Sequence, residues 1–294
     1  MYGCVPTYLN TIGSYVHYCG CPMTLAYNHK ESKYIKASLL DVATHVKWFF
    51  IYLFILGAMV SLVRPFHYQP FANFEGQPWH LASRMWHPAQ LANNFVLGVI
   101  FQLFITTAAE GMIASTVLVT GCKCENVMEN PMFTATSPSE FWGKRWNRVV
   151  HSALKRGVYI PLRKHQVSQA LAAGGAFVAS GLLHEWILTF VFYPRSHELG
   201  ADGSCSAPRC YEAPLGGSTA FFVWNALLIN LEYTIGGSML VVQFVKTVPA
   251  SLRNVVLVML ALPVAHWFVE PYVVSDFFDQ AGIGFPLIKV VAKA

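Results

Sequence analysis

Charged residues are scarce in this chain. They make up 12% of its 294 residues, whereas 54% are hydrophobic, and an ordinary soluble domain carries about 25% charged residues. The net charge is +5, but the basic residues lie beside apolar runs and not on a soluble face, so nucleic acid is not an expected partner. The composition therefore disfavours a soluble domain and predicts a protein that crosses a membrane several times.

Several motifs are also missing. The two Cys-x-Cys pairs, Cys19 with Cys21 and Cys122 with Cys124, are too closely spaced for a standard four-ligand zinc site. There is no internal repeat, no secretory signal within Met1–Tyr18 and no G-x-S-x-G nucleophile motif. We therefore expect neither a metal centre nor a serine nucleophile.

Four long apolar segments are clear, and a fifth is more polar. Each is long enough to cross a hydrocarbon core of about 30 Å. In chain order they are Trp48–Val63, Phe95–Val119, Ala170–Tyr193, the polar Thr219–Val245, and Leu252–Val269. The predicted fold class is all-α, a polytopic transmembrane helical bundle of about five or more spans, in one domain over residues 1–294. The polar segment has an alternative interpretation as a re-entrant or interfacial pair of helices.

The distribution of basic residues predicts the orientation. Eight of the 20 Lys and Arg residues lie between residues 120 and 169, and loops rich in Lys and Arg stay in the cytosol. The other loops then alternate, which puts the N-terminal segment inside and the C-terminus outside. Cys205 and Cys210 fall in an outside loop, where they either form a disulfide or remain free thiols.

His184 and Glu185 lie in the middle of the apolar run Ala170–Tyr193. An ionisable group at bilayer depth costs roughly 2.5–3.5 kcal/mol, so a reaction centre, an ion path or a buried polar pair must compensate. Ser180, about one helical turn before His184, is placed to orient the imidazole ring, whereas Glu185 points about 100° away and should contact a neighbouring helix. The alternative for His184 is a packing histidine that is hydrogen-bonded between helices.

A basic, tryptophan-rich segment follows a typical helix start at Ser137. Apolar residues repeat with the helical period over Glu140–Arg156, which predicts an amphipathic helix at the cytosolic membrane surface. Lys144, Arg145 and Arg148 lie close together on it, and guanidinium groups bind phosphates through paired hydrogen bonds. A cytosolic anion site beside a buried base fits a coenzyme A thioester. The alternative is an ordinary interfacial belt of Trp and Arg.

Three stretches resemble motifs of a known family. Phe141-Trp142-Gly143-Lys144-Arg145-Trp146-Asn147 is similar to the F-W-G-[KR]-R-W-N signature of the wax synthases, which are long-chain-alcohol O-fatty-acyltransferases related to the membrane-bound O-acyltransferases. Val158-Tyr159-Ile160-Pro161-Leu162-Arg163 resembles their V-Y-x-P-x-R stretch. Ser180-Gly181-Leu182-Leu183-His184-Glu185 resembles their S-[GA]-x-x-H-E signature. The resemblance is firm over residues 137–193 and looser as far as residue 233.

The resemblance implies roles for the matching residues. His184 would be the catalytic base, and Asn147 would assist catalysis or position the thioester. The acyl-CoA-binding residues would be Trp142, Arg145 and Trp146, to which the basic cluster adds Lys144 and Arg148. Because family members carry further N-terminal spans and Met1–Lys47 has no clear apolar run, we expect a short or incomplete form of the domain.

Four polar residues are candidates for the channel of the alcohol substrate, namely Ser180, Glu185, Asn225 and Glu232. Asn225 and Glu232 lie seven positions apart on one face of the polar segment. The alternative is that such residues, with Glu110 in another span, hydrogen-bond the helices together. We predict that His266 lies at the membrane interface.

The predicted function is transfer of a fatty acyl group from acyl-CoA to a lipid alcohol, forming a wax ester in the endoplasmic reticulum membrane. His184 would be the general base, and Asn147 or a backbone N–H would stabilise the oxyanion. Acyl-CoA is a co-substrate, and we expect no permanently bound cofactor. A sterol, diacylglycerol or terpenoid alcohol is an alternative acceptor. A third interpretation is a transporter whose proton relay consists of His184, Glu185, Glu110 and Glu232. The sequence predicts no oligomeric state.

Overall fold

The computed structural model describes residues 23–28, 30–74, 77–78, 81–196, 215–275 and 277–280. Cys19, Cys21, Cys205 and Cys210 lie outside the described residues. Helices dominate the described part of the chain, which confirms the all-α class. A short antiparallel hairpin, β1 (Tyr27–Asn28) and β2 (Lys33–Tyr34), accompanies them.

The described helices follow one another with short breaks. In chain order they are α1 (Leu39–Val63), α2 (Ala82–Met85), α3 (Pro88–Thr120), α4 (Pro131–Thr134), α5 (Pro138–Glu140), α6 (Arg148–Leu154), α7 (Ile160–Lys164), α8 (Gln169–Ser196), α9 (Gly217–Ile235), α10 (Met239–Thr247), α11 (Ala250–Ala261), α12 (Ala265–Val274) and α13 (Phe277–Gln280). Two 3₁₀ turns and two π-helices lie between them, at Arg64–Phe66, Leu262–Val264, Phe141–Arg145 and Lys155–Tyr159.

Four helical stretches of the described chain are long and apolar enough to cross a membrane. They are Leu39–Phe66, Pro88–Thr120, Gln169–Phe190 and Ala250–Val274, in agreement with the four clear apolar segments of the sequence. The fifth segment forms α9 and α10, which bend by 102° at their junction. That bend is the geometry of a broken span or of a re-entrant loop, which gives four spans, or five if the bent pair is one span.

Local signals in the sequence explain where the first two spans begin and end. Helix α1 starts with a capping box, in which the side chains of Ser38 and Asp41 each accept a hydrogen bond from the other's backbone N–H. Helix α3 starts at Pro88, where a missing N–H costs nothing, and its cap is the ring of His87. It ends at Gly121, whose φ of 66° favours glycine.

The largest buried cluster ties the spans together. It joins α1, α3, α8 and α12 through apolar side chains that are almost fully buried: Leu56, Val60, Leu97, Ile100, Leu188, Val269 and Tyr272. Helix α9 packs against α8 and α12. A Cβ at Gly181 would lie 2.7 Å from Thr219 Cα, and one at Gly217 would lie 2.7 Å from the Trp267 carbonyl oxygen. Only glycine therefore allows α9 to approach both neighbours so closely.

A chain of polar groups is buried between α2, α3 and the end of the last span. Arg84 is 3% exposed and contacts the Glu270 carboxylate and Gln90 Oε1, and Gln90 donates to Asn94. Asn94 Nδ2 donates to the Leu262 carbonyl at the 3₁₀ turn (2.7 Å). These hydrogen bonds hold the last span against α3 at the 3₁₀ turn Leu262–Val264, where the backbone of the span is irregular.

His266 belongs to the same buried region. Its exposed fraction is 1%, and its Nδ1 lies 3.5 Å from Asn94 Nδ2. His266 is therefore a buried partner of α3, and its location at the membrane interface stays a prediction. The sequence pattern placed it near the end of an apolar run but gave no sign of the polar partner on α3.

The basic segment is not the single amphipathic helix that its periodicity predicts. From Pro138 to Lys164 it consists of α5, a π-helix, α6, a second π-helix and α7. The break falls at Trp146 and Asn147, where Asn147 takes a left-handed conformation (φ 37°, ψ 66°). The apolar side of the segment also faces the protein interior, because Trp142 packs against Phe177, Phe221 and Phe222.

Candidate active site

One cavity of about 430 Å³ lies between the irregular segment and helices α3, α8, α9, α11 and α12. Its lining is predominantly apolar and aromatic, with Phe141, Trp142, Trp146, Phe177, Phe221, Phe222 and Phe268 among its members. It also contains six of the eleven site residues that the sequence predicts, namely Trp142, Trp146, Asn147, Ser180, His184 and Asn225. The structure therefore brings the two motif segments to one space.

The ring of His184 is fixed by its own helix. Its Nδ1 lies 2.7 Å from the carbonyl oxygen of Ser180, one turn earlier in α8. A carbonyl oxygen only accepts hydrogen bonds, so Nδ1 carries a proton, and in the neutral ring Nε2 keeps its lone pair. The ring also packs against Phe222 and Phe268, with centroid distances of 4.8 and 5.2 Å. The arrangement presents an oriented, neutral imidazole in an apolar space.

The side chain of Asn147 makes one structural hydrogen bond and has a second polar group that can bind a ligand. It is the N-cap of α6, where its side-chain oxygen accepts a hydrogen bond from the Val150 N–H (3.3 Å). Its positive φ is one that asparagine tolerates better than most residues. Its Nδ2 makes no hydrogen bond with the part of the chain that the structure describes, and the residue lines the cavity. An amide donor is therefore available to a ligand there.

Trp142 and Asn225 join the irregular segment to α9 inside the cavity. The indole N–H of Trp142 donates to Asn225 Oδ1 at 3.0 Å, and Asn225 Nδ2 donates to the Phe221 carbonyl. Asn225 is 1% exposed, and these bonds satisfy its polar groups. Trp146 stacks on Phe141 with an interplanar angle of 14°. The two tryptophans therefore form an aromatic wall that suits an acyl chain.

Arg145 does not line the cavity, because a neighbouring carboxylate holds it. Its Nε and Nη2 donate to Glu140 Oε1 at 2.8 and 2.7 Å. Burial alone would raise the pKa of Glu140, but hydrogen bonds from Thr136 and the positive charge of Arg145 hold this pKa below its usual value. The pair is therefore ionised at neutral pH, and it fixes the turn between α5 and the π-helix.

Arg148 is also neutralised by carboxylates. Its guanidinium contacts Glu125 at 3.0 Å and Glu129 at 3.3 Å, both in the loop that follows α3. Lys144 is exposed and, like Arg148, is absent from the cavity lining. The basic cluster that the sequence suggests for phosphate binding is thus turned away from the cavity.

The two predicted channel carboxylates cap helices. Glu185 is 9% exposed, and its Oε1 accepts the Thr219 N–H in the first turn of α9 (2.9 Å). Glu232 accepts both the N–H and the hydroxyl of Ser139 in α5 (2.7 Å each). Carboxylates stabilise helix N-termini. Neither residue lines the cavity, and Glu185 points to a neighbouring helix as the helical geometry predicts.

Glu110 likewise connects two spans. Its Oε2 lies 2.6 Å from Nδ1 of His45, so the contact ties α1 to α3. This is the alternative in which the carboxylate hydrogen-bonds helices together. Glu110 is absent from the cavity lining as well.

Sequence reasoning missed six polar residues of the cavity, namely Asn94, Ser139, Tyr233 and three that follow Asn147. His151, Lys155 and Tyr159 follow Asn147 at intervals of four residues, and all of them line the cavity. Burial lowers the pKa of His151 below its usual value, and the nearby positive charges of Lys155 and Arg148 lower it further. Their four-residue spacing from Asn147 is the signal in the sequence that could have found them.

The chain has relatives among curated proteins. Residues 124–202, which include Asn147 and His184, match the model of the membrane bound O-acyl transferase family. The chain is 28% identical to probable long-chain-alcohol O-fatty-acyltransferase 3 of Arabidopsis thaliana over 177 residues, which are 58% of this chain and 46% of that protein. It is 25% identical to probable long-chain-alcohol O-fatty-acyltransferase 6 of the same plant over 252 residues, 79% of this chain and 61% of that protein.

A third relative has a different name. The chain is 35% identical to the Arabidopsis thaliana acyl-CoA–sterol O-acyltransferase 1 over 114 residues, 36% of this chain and 33% of that protein. The chain thus spans about half the length of the curated relatives that it matches. No solved structure matches it. These similarities confirm the resemblance that the two motifs indicate.

Proposed function

Since the chain is related to the membrane-bound O-acyltransferases, we propose that it transfers a fatty acyl group from acyl-CoA to the hydroxyl group of a lipid alcohol. One observation carries the proposal. The imidazole of His184 is held with Nδ1 on the Ser180 carbonyl, inside an apolar cavity that it shares with Asn147. An oriented neutral base and an amide donor, both in an apolar space, are what a direct acyl transfer requires.

In the proposed reaction, His184 Nε2 takes the proton of the alcohol hydroxyl. The alcohol oxygen bonds to the thioester carbonyl carbon, and the Asn147 Nδ2–H donates to the developing oxyanion. The carbon–sulfur bond then breaks, and the proton on His184 passes to the coenzyme A thiolate. No covalent acyl-enzyme forms, and the imidazole returns to its starting state.

The acceptor that we propose is a long-chain alcohol, which would give a wax ester in the endoplasmic reticulum membrane. Two of the relatives are named for that alcohol class. A sterol is the second candidate, because the sterol acyltransferase relative has a higher identity over its shorter match. The aromatic lining of the cavity is compatible with an acyl chain and with either acceptor.

A proton relay has little support from the structure. It would need Glu185, Glu110 and Glu232 along one path with His184. The three carboxylates instead bind Thr219, His45 and Ser139, which lie on different elements. They are absent from the cavity that contains His184.

An acyl-transfer assay tests the proposal. Microsomes from a host that lacks neutral-lipid synthesis would receive the full chain, labelled acyl-CoA and a panel of fatty alcohols, sterols, terpenoid alcohols and diacylglycerol. We expect one acceptor class to yield an ester, and His184→Ala to lower that rate about 100- to 10,000-fold. His165→Ala is the matched control, because His165 is exposed and lies outside the cavity.

Two results would contradict the proposal. One is full ester synthesis by His184→Ala at the same protein level. The other is no ester from any acceptor by a well-expressed, membrane-inserted wild type.

A further inference from the structure

Lys155 is an exception in the cavity lining. The lining is apolar and aromatic apart from a few neutral polar groups, and among the described residues Lys155 is its one permanently charged member. Its side chain is also exposed, which puts it at the mouth of the cavity. A cation at the rim of an apolar cavity suits a ligand that has an anionic part outside and an apolar part inside.

Lys155 follows Asn147 and His151 on the wall of the cavity, and the second π-helix begins at it. In a regular α-helix, residues four positions apart rotate by about 40° from one to the next, so Asn147, His151, Lys155 and Tyr159 would drift around the helix. The π-helix from Lys155 to Tyr159 has more residues per turn, so it turns Tyr159 back towards the side of the other three. All four residues therefore line the same cavity.

The other basic residues of the segment are less suitable. Arg145 is bound to Glu140, and Arg148 is bound to Glu125 and Glu129. Neither lines the cavity. A phosphate that approached either guanidinium would have to displace a carboxylate.

His151 lies one turn before Lys155 on the same wall. The backbone N–H of Lys155 donates to the His151 carbonyl, and the charge of Lys155 lowers the pKa of the His151 ring. Both side chains line the cavity, so a ligand in it can contact the imidazole and the ammonium group together. Together they provide a fixed cation and a second donor that a bound anion would stabilise in its protonated form.

We propose that Lys155, with His151 beside it, binds the phosphate of a ligand whose acyl chain enters the cavity. The proposal rests on the proposed acyl transfer for the identity of this ligand, which is then acyl-CoA. The same chemistry could come from the phosphate of a lysophospholipid. Lysine binds phosphate as a compact point charge, and the loop from 120 to 169 is the one that the Lys and Arg distribution predicts in the cytosol, where coenzyme A is found.

A binding measurement tests this proposal without turnover. The probe is a non-hydrolysable thioether analogue of a long-chain acyl-CoA, added to the full chain in detergent micelles, and its phosphate-free pantetheine counterpart is measured in parallel. We expect Lys155→Met to weaken binding of the acyl-CoA analogue about tenfold and to leave binding of the pantetheine analogue unchanged. Lys155→Arg should restore most of the affinity. Lys164→Met is the control, because Lys164 is exposed and outside the cavity lining.

The outcomes separate the two proposals. Unchanged acyl-CoA binding by Lys155→Met overturns the phosphate site, and so does an equal loss for both analogues, which would indicate a structural effect. A lysophosphatidate that displaces the probe from the wild type but not from Lys155→Met, more strongly than coenzyme A does, overturns the assignment to acyl-CoA. Binding as expected in a chain that forms no ester supports the phosphate site and contradicts the proposed acyl transfer alone.

Discussion

Helix α8 and the segment from Pro138 to Lys164 both line the cavity, but they are built differently. Helix α8 runs without a break, and it orients His184 through the carbonyl of its own residue Ser180. The other segment is divided by two π-helices and by Asn147 at positive φ. Carboxylates from elsewhere in the chain, Glu232 and Glu129 among them, hold it in place. The position of His184 is therefore set by its own helix, whereas the position of Asn147 depends on contacts with residues distant in the sequence.

In the comparison of helix α8 with the segment from Pro138 to Lys164, we expect the largest loss of activity from a substitution at Asn147. Asn147→Asp keeps an oxygen for the Val150 N–H and tolerates positive φ, but it loses the amide donor. We expect acyl transfer to fall about 100- to 1,000-fold, while the melting temperature changes by only about two degrees. Rates and thermal unfolding of the purified protein check this.

Asn130→Asp is the matched control. Asn130 also has a positive φ and precedes a helix, but it lies outside the cavity lining. Wild-type activity in Asn147→Asp would show that Asn147 acts only as a helix cap.

Added side-chain volume should destabilise helix α8 more than the segment from Pro138 to Lys164. In Gly181→Ala, the new Cβ would lie 2.7 Å from the Thr219 Cα, so α8 and α9 must separate. We expect a loss of about 1–3 kcal/mol in the free energy of unfolding. Gly157→Ala, in the second π-helix, is the control, because its Cβ would meet no atom within 4 Å. Equal melting temperatures for the two variants would contradict the close packing of α8 on α9.

The stability of the segment from Pro138 to Lys164 should depend on its contacts with carboxylates. Glu232→Ala removes both acceptors of Ser139 and should cost about 1 kcal/mol. Glu232→Gln keeps one acceptor and provides a donor for the Ser139 hydroxyl, so we expect near-normal stability and activity. Thermal unfolding and the acyl-transfer rate of both variants check this. If Glu232→Gln folded normally but lost activity, the carboxylate would have a chemical role in the alcohol channel.

The smallest effect that we expect is a pH dependence of ligand affinity that arises from His151. Burial and the charges of Lys155 and Arg148 lower the pKa of His151 in the free protein. A bound phosphate would raise this pKa again, so binding takes up protons and affinity increases as pH falls through the range of about 5 to 7. We expect about threefold stronger binding, the effect of half a pKa unit, and no such increase towards low pH in His151→Gln. A profile that is equally steep in this variant would contradict the assignment.

The sequence was sufficient for the features that repeat with helical geometry. Apolar length predicted the four clear spans, since backbone polar groups in lipid must be satisfied within a helix. The spacing of four residues placed Ser180 beside the ring of His184, and the turn of about 100° sent Glu185 to another helix. These are relations within one element, and so they can be read from adjacent positions.

The remaining features depend on contacts that spacing does not encode. A four-residue interval does not distinguish an α-helix from a π-helix, so the breaks around Asn147 could not be read from the spacing. The pairing of Arg148 with Glu125 joins residues 23 positions apart. The pairing of Glu232 with Ser139 joins residues 93 positions apart. Composition alone therefore counted Arg148 as available to a phosphate.

We expect His184, on helix α8, and Asn147, on the segment from Pro138 to Lys164, to contact the same reacting group of the substrate. A cryo-electron microscopy structure of the full chain with the non-hydrolysable acyl-CoA analogue tests this most directly. We expect the acyl chain in the cavity, with the thioether region within about 3–4 Å of both His184 Nε2 and Asn147 Nδ2. An analogue bound at another place, or one that contacts His184 while Asn147 faces away, would contradict it.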